Sequence, residues 1–294
     1  MTRESDTISV LIPAKNAGKT ISRAINSVLS QTRLPDKIVV VNDQSTDNTM
    51  NLLLKYQKEY PELFVIVEGP GLGAGASRDA GIKAIETKYV AFLDSDDWYT
   101  PNALETLYPM VMRTGATSGA ICKVYDNGVK RMQKLPSKSN ILINHEMTKR
   151  AVYTSMSSSM FLTRLVRHVG GFNPKLIRME DLDFHLRITK LVDYYFTPTL
   201  VAYYETPFGE DLQKKGFTYS KWEAIVWKQH GFFRWSEVFR TIKYSLINIL
   251  LIPLNVFRKL RNPRVKLFNP LYLRMLLGYI SGMMTKYPTP TNTG

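Results

Sequence analysis

Cysteine is almost missing from this chain of 294 residues: Cys122 stands alone. A single thiol excludes a disulfide framework and any cysteine-built metal cluster, and it fits a reducing compartment. Long hydrophobic runs are missing as well. The longest uncharged apolar stretch, 244–257, has 14 residues and is broken by Pro253, too short to span a bilayer. The chain opens on polar residues that run straight into strand-like sequence, with no signal-peptide pattern, so a cytoplasmic protein is expected. Internal repeats are absent, and the Pro/Thr-rich end 288–294 is the only compositionally biased piece, expected to be disordered. Acidic residues almost vanish late in the chain. Residues 213–294 carry 14 Lys and Arg against Glu223 and Glu237, a net of +12, out of +14 for the whole chain. A nearly neutral body therefore precedes a strongly basic region.

What is present centres on 89–98, Tyr-Val-Ala-Phe-Leu-Asp-Ser-Asp-Asp-Trp. Five apolar residues suited to a buried strand run into three carboxylates, Asp94, Asp96 and Asp97. Unpaired charges are too costly to bury, so the acids are expected where the strand leaves its sheet, the edge at which open α/β sheets bind ligands. Strand alternation would put Asp94 and Asp96 on one side, where hard oxygens suit Mg2+ or Mn2+. The same residues also read as an acidic turn leading into a helix, with Asp97 or Thr100 as N-cap and Pro101 in the first turn.

Strand and helix alternate around this stretch. Strands are predicted at 7–13, 37–41, 64–68 and 89–93, the first ended by Pro13. Helices are predicted near 21–29, 50–60, 76–86 and 102–113. Short links between them predict a parallel sheet wound by right-handed crossovers. Beyond it, 119–125 and 135–142 read as weaker strands, 146–152 and 163–169 as helices, and 193–203 as a strand. A helical period starts at Glu180-Asp181, where carboxylates also suit the first turn of a helix. Gly71-Leu72-Gly73-Ala74-Gly75-Ala76 matches a dinucleotide-binding fingerprint, the mark of an oxidoreductase. It follows the third strand rather than the first, so the milder expectation is backbone N–H groups close to an anion, helped by Arg78.

In this order the segments ISVLIPAKNAGKTISRAINSVLSQT, IVVVNDQSTDNT, GAGASRDAGIKAI, YVAFLDSDDWYTPNAL, GGF and MEDLDFHLRI resemble the family 2 inverting glycosyltransferases of the GT-A fold. The resemblance spans about 8–190. It implies an α/β fold: a GT-A-type nucleotide-binding mixed sheet flanked by helices, followed here by a basic amphipathic helical C-terminal region. It also implies a nucleoside-diphosphate sugar, UDP-linked by preference, a divalent Mn2+ or Mg2+, and a glycan or lipid-linked acceptor hydroxyl. Position by position, Pro13, Ala14, Asn16 and Asp43 would hold base and ribose, with Arg78 near the donor. Asp94-Ser95-Asp96 would be the D-x-D motif, Asp94 and Asp96 holding the metal. Asp181 would be the catalytic base, with Glu180 beside it. Departures are Asp79 for a frequent Asn, and His185 for a frequent aromatic residue. No Arg or His follows the last core strand in Tyr203-Tyr204-Glu205-Thr206, so Lys214, Lys215, Thr218 and Ser220 stand in as pyrophosphate contacts. Trp98 would stack on an acceptor sugar or belong to the core.

The domain reading is 1–212 catalytic, divided at 115/116 into donor and acceptor halves, then 213–287 basic and helical, then the 288–294 tail. The basic region, amphipathic and apolar between its cations, predicts attachment to an anionic membrane at its inner face; a packed helical cap or a homo-oligomer contact is the alternative. Nucleic acid is not expected, since no motif accompanies the charge. A catalytically idle binding protein of the same fold is the rival functional class.

Overall fold

The computed structural model describes residues 6–133, 135–150, 154–206, 217–231, 277 and 280–285. The predicted Lys214 and Lys215 contacts, and the 244–257 segment, lie outside them. The chain divides into a larger unit up to Pro207 and a smaller one, Phe208–Thr289.

The larger unit begins with three strand–helix repeats and a fourth strand: β1 Ile8–Ala14, α1 Ile21–Leu29, β2 Lys37–Asn42, α2 Thr49–Glu59, β3 Phe64–Glu68, α3 Ala74–Ala84 and β4 Tyr89–Phe92. The short β5, Trp98–Tyr99, leads to α4, Ala103–Thr114. Then come β6 Ala116–Tyr125, β7 Lys130–Met132, β8 Ile141–Ile143, α5 His145–Arg150, a 3₁₀ turn Met156–Ser158, β9 Ser159–Leu162, α6 Thr163–His168, α7 Glu180–Thr189 and β10 Tyr194–Thr206. Among the described residues ten strands form one mixed sheet, ordered β3-β2-β1-β4-β9-β6-β10-β5, with β7 on β6 and β8 on β10. The first four strands are parallel. β9 runs antiparallel between β4 and β6, and β10 is parallel to β6. The carboxyl ends of β1–β4, β6 and β10 therefore share one edge.

Both faces of the sheet are covered, which is why β1 and β2 read as nearly continuous apolar runs. Ile8, Val10 and Ile12 face α1 and α4 with Ile25, Leu104 and Leu107. Leu11, Val39 and Phe92 face the other way, toward Ile82 of α3 and Phe184 of α7. There Phe172 stacks on Phe184 at 4.3 Å between centroids, and Phe92 meets both edge-on.

Several expectations change. Pro13 does not end β1, which runs on through Ala14. Pro13 follows the parity of Leu11, whose carbonyl faces β4, and the β4 ladder stops at Leu11–Phe92, so its missing N–H costs no bond. The stretch 135–142 is not a strand; only Ile141–Ile143 pairs, antiparallel to the start of β10. β10 runs three residues past the predicted end and carries bulges between Thr197 and Ala202, which accommodate Pro198. Neither Asp97 nor Thr100 caps a helix. Asn102 precedes α4, and the Thr100 hydroxyl donates to the Leu200 carbonyl at 3.1 Å.

In the smaller unit, α8 (Phe217–Gln229) buries Ala224, Ile225, Val226 and Trp227. Lys228 Nζ donates to the Met283 carbonyl at 2.5 Å. Among the described residues no helix is long and apolar enough to cross a membrane.

Candidate active site

β4 stops at Phe92, and the acids after it form a turn closed by Asp97 N–H on the Asp94 carbonyl at 3.1 Å. Turn geometry, not strand alternation, therefore sets Asp94 and Asp96. Asp96 is exposed, Ser95 is half-buried, and Asp94 is 28% exposed. Asp97 corrects the expectation that no acid here enters the core, because it is fully buried. Burial, then the charges of Asp94 and Asp96, hold its pKa well above the usual carboxylate range, so the neutral form avoids the cost of a buried charge. Ser157 Oγ donates to Asp97 Oδ2 and in turn accepts the Asp94 N–H at 3.1 Å. The Glu205 N–H donates to Asp97 Oδ1 at 3.3 Å.

Arg78 is the hub on the other side of the turn. It lies on α3, 3% exposed, and donates to Asp94 Oδ1 at 2.5 Å and to Glu180 Oε1 at 3.0 Å. Burial opposes its charge, but Asp94 and Glu180 more than reverse this and raise its pKa. Phe172, from the GGF segment, lies 5.5 Å from the guanidinium carbon. Glu180 reaches Arg78 across Gly75, where any Cβ would lie 2.8 Å from Glu180 Cγ. Glycine is thus required there by the approach of the acid.

Glu180 and Asp181 open α7 behind Met179, whose φ of +65° is unusual for a non-glycine residue. Asn16 and Gln44, at the ends of β1 and β2, are the other two non-glycine residues with positive φ among those described. All three sit beside the site, where strain of this kind concentrates. Desolvation and the neighbouring Asp181 push Glu180 up to about 7, against the pull of Arg78. Asp181 is exposed and accepts the Leu182 N–H at 2.7 Å. Desolvation raises its pKa, with Arg78 opposing. The two acids titrate as a pair. His185 faces the core: its Nδ1 lies 2.6 Å from the Tyr194 hydroxyl, and burial lowers its pKa to about 3, so it is neutral.

The remaining donor-side positions lie at the ends of β1 and β2. Pro13 and Ala14 pair with Val41 and Asn42. Asn16 Oδ1 accepts the Thr46 N–H at 2.8 Å. Asp43, 2% exposed, accepts N–H groups from Gly71 at 2.7 Å and Gly73 at 3.0 Å, with Lys15 Nζ at 3.5 Å. The anion approached by the glycine loop is therefore the chain's own carboxylate. Ser220 falls on α8 in the smaller unit.

Trp98 is half-buried. It stacks on Tyr203 at 5.2 Å and receives the Arg23 guanidinium at 4.1 Å. Arg23, Ser157 and Glu205 were not identifiable as site residues from sequence. The only local signal for Ser157 is the run of small polar residues around it.

Asp94, whose Oδ1 is taken by Arg78, and the exposed Asp96 are both hard oxygen donors of the kind that suit a divalent cation. Among the described residues no cluster of three or more potential side-chain ligands is preassembled. That fits Mg2+ or Mn2+, which keep waters and take phosphate oxygens as further ligands.

A parallel nucleotide-binding half with an acidic turn at its edge, continued by a mixed sheet, is the architecture of the GT-A enzymes. Residues 9–170 match the model of Glycosyl transferase family 2, and the chain belongs to that family. It is 29% identical over 235 residues to Glycosyltransferase AglE of Haloferax volcanii, covering 77% of this chain and 76% of that protein. It is 36% identical over 205 residues to the poly(ribitol-phosphate) beta-glucosyltransferase of Bacillus spizizenii, covering 64% of this chain but 32% of that protein. The structure of S. aureus TarS 1–349 in complex with UDP-GlcNAc matches with a TM-score of 0.61 at 20% identity, over 75% of this chain and 65% of that one.

Proposed function

We propose that the protein transfers a sugar, with inversion, from a UDP-sugar to a hydroxyl of a cell-envelope or lipid-linked glycan, with a divalent cation at Asp94 and Asp96. One observation carries this reading. A single buried guanidinium, Arg78, ties the Asp94 carboxylate to Glu180, so the acidic turn and the acid pair of α7 are held together at one sheet edge.

Inverting transfer needs the leaving diphosphate on one side of the anomeric carbon and the attacking hydroxyl on the other. The cation, when bound, supplies charge that neutralises the departing diphosphate. Asp181 is assigned as the base: its exposed carboxylate, raised by desolvation, is a better proton acceptor than an ordinary surface aspartate. Glu180, fixed by Arg78, holds Asp181 and the acceptor in place. Asp43, Asn16 and the Pro13–Ala14 strand end form the nucleoside side. The Asp43 carboxylate, already bonded to the glycine loop, presents a rigid wall there rather than a mobile side chain. Support for UDP comes from the neighbour whose structure carries UDP-GlcNAc, and support for an envelope glycan from the named polymer-modifying relative.

The region 213–287 is assigned to attachment at the inner membrane face, on its net +12 and short apolar runs. The test of activity is a panel of nucleotide sugars incubated with the full chain, with Mn2+ and with chelator, scored by release of nucleoside diphosphate. Release from one UDP-sugar that needs the cation supports the reading. Cation-independent release, or none from any donor, overturns it.

A further inference from the structure

We propose that a cationic cleft at the sheet edge opposite the acidic turn, lined by Lys88, Arg113, Arg164 and His168, binds a phosphate-bearing organic ligand. The inference goes beyond the activity proposed above and does not depend on it.

The topology brings these residues together. Lys88 precedes β4, Gly115 precedes β6, and Val192 lies two residues before β10. These three strands carry their carboxyl ends to the active edge, so their starts lie at the far one. The antiparallel β9 arrives there with its last residue, Leu162, and α6 follows with Arg164 and His168. The last turn of α4 supplies Arg113. The cleft encloses about 710 Å³, which suits a small organic molecule and exceeds what a lone phosphate fills.

No acidic residue is among those lining it. Lys88 Nζ pairs at 2.9 Å with Asp6, which is not part of the lining. Arg113 has only a neutral partner, the Tyr195 hydroxyl at 3.2 Å, with its guanidinium 4.9 Å from the centre of that ring. Arg164 and His168 are exposed and make no hydrogen bond or ion pair among the described residues. Cations suit the last turn of a helix, which accounts for Arg113 on α4 and His168 on α6. It does not account for Arg164, in the first turn of α6, the end that disfavours a cation. Two guanidinium forks beside an ammonium group match phosphate oxygens, which arginine can grip through paired N–H groups. Half-buried Leu162, Leu165 and Val192 give the same cleft an apolar wall. A bare inorganic anion would leave that wall unused, so a phosphate carried on an organic body is the chemistry that fits. Soluble phosphoesters and phospholipid head groups both present it.

The test uses the full chain with UDP and Mn2+ present, to occupy the active edge. Calorimetry with glycerol 3-phosphate and co-sedimentation with phosphatidylglycerol vesicles report the two sources. Arg113→Gln combined with Arg164→Gln is compared with Lys55→Gln combined with Lys58→Gln, which removes the same charge from exposed positions of α2. The cleft pair is expected to weaken binding of at least one probe by roughly 10-fold or more, the scale of a lost hydrogen bond to a charged group, while the α2 pair matches the parent. Loss with glycerol 3-phosphate identifies a site open to soluble phosphoesters; loss with the vesicles alone identifies a head-group site. Arg164→Gln by itself, which removes no contact within the described fold, should show a partial loss at the parent's melting temperature. If the cleft pair and the α2 pair bind both probes alike, at any strength or not at all, the proposal is overturned. UDP binding, measured in the same proteins, is a separate result: its absence in the parent counts against the active-site reading and leaves the comparison of the two pairs standing.

Discussion

The two ends of the active edge are built differently. At the ends of β1 and β2, one carboxylate, Asp43, is satisfied mainly by neutral main-chain N–H groups of a glycine loop. At the end of β4 a buried Arg78 and four carboxylates, Asp94, Asp97, Glu180 and Asp181, sit in mutual contact or influence. The first arrangement is a shaped wall of main-chain bonds to one carboxylate. The second is charge-coupled: neighbouring charges shift Arg78, Asp97, Glu180 and Asp181, and deleting the Arg78 charge leaves Glu180 without its compensation. Shape at one end and charge at the other is the division expected if a nucleoside is recognised on one side and a diphosphate departs on the other.

That contrast sharpens most at Arg78. Arg78→Met should destabilise the protein by about 3–5 kcal/mol, because Asp94 and Glu180 lose the guanidinium that compensates them. For a chain of this size that corresponds to a fall of about 10 °C in melting temperature, read by calorimetry. A loss no larger than that of a surface arginine would remove the distinction between the two ends. Asp181→Asn comes next, expected to keep UDP binding while transfer falls by roughly 10²-fold or more. Parallel loss of UDP binding in calorimetry would make Asp181 a binding residue.

Asp43→Asn should do less. One of the two loop bonds is lost, because the amide nitrogen of Asn cannot accept an N–H, at a cost of about 1–3 kcal/mol. The expected signature is a higher KM for the donor with little change in kcat; a kcat effect as large as that of Asp181→Asn would contradict the division. The pH profile separates the ends further. Glu180, raised to about 7, belongs to the charge-coupled end. A carboxylate needed in its ionised form, with a raised pKa, loses function as pH falls, so kcat should drop on the acid side with an apparent pKa near 7. The smallest effect concerns the basic C-terminal region. Full-length protein should sediment with vesicles containing anionic lipid and be partly released by salt, since screening weakens its electrostatic attraction. Equal, negligible binding to anionic and neutral vesicles would refute attachment by this region.

The parallel half was legible because β1 and β2 are buried on both faces and α1 has an apolar stripe at Ile21, Ala24, Ile25 and Val28. The acidic turn was legible for a similar reason: a buried run cannot absorb three carboxylates without leaving the sheet. The same argument misplaced Asp97. It overlooks that a buried acid can be held by hydrogen bonds from Ser157 and the Glu205 N–H, with burial raising its pKa. β5 and β9, two and four residues long, carry no periodicity by which to recognise them. Arg23 lies outside the apolar stripe of α1, and its partner Glu205 lies 182 positions away. Contacts of that kind exist only once the sheet has brought β10 beside the turn.

The most direct measurement is titration calorimetry of UDP into the parent protein and Asp96→Asn, each with Mn2+ and with chelator. With a cation held at Asp94 and Asp96, UDP binds the parent tightly only when Mn2+ is present, and Asp96→Asn loses most of that gain while keeping the parent's melting temperature. UDP binding that is equal with and without Mn2+, or a gain from Mn2+ that survives in Asp96→Asn, would contradict it.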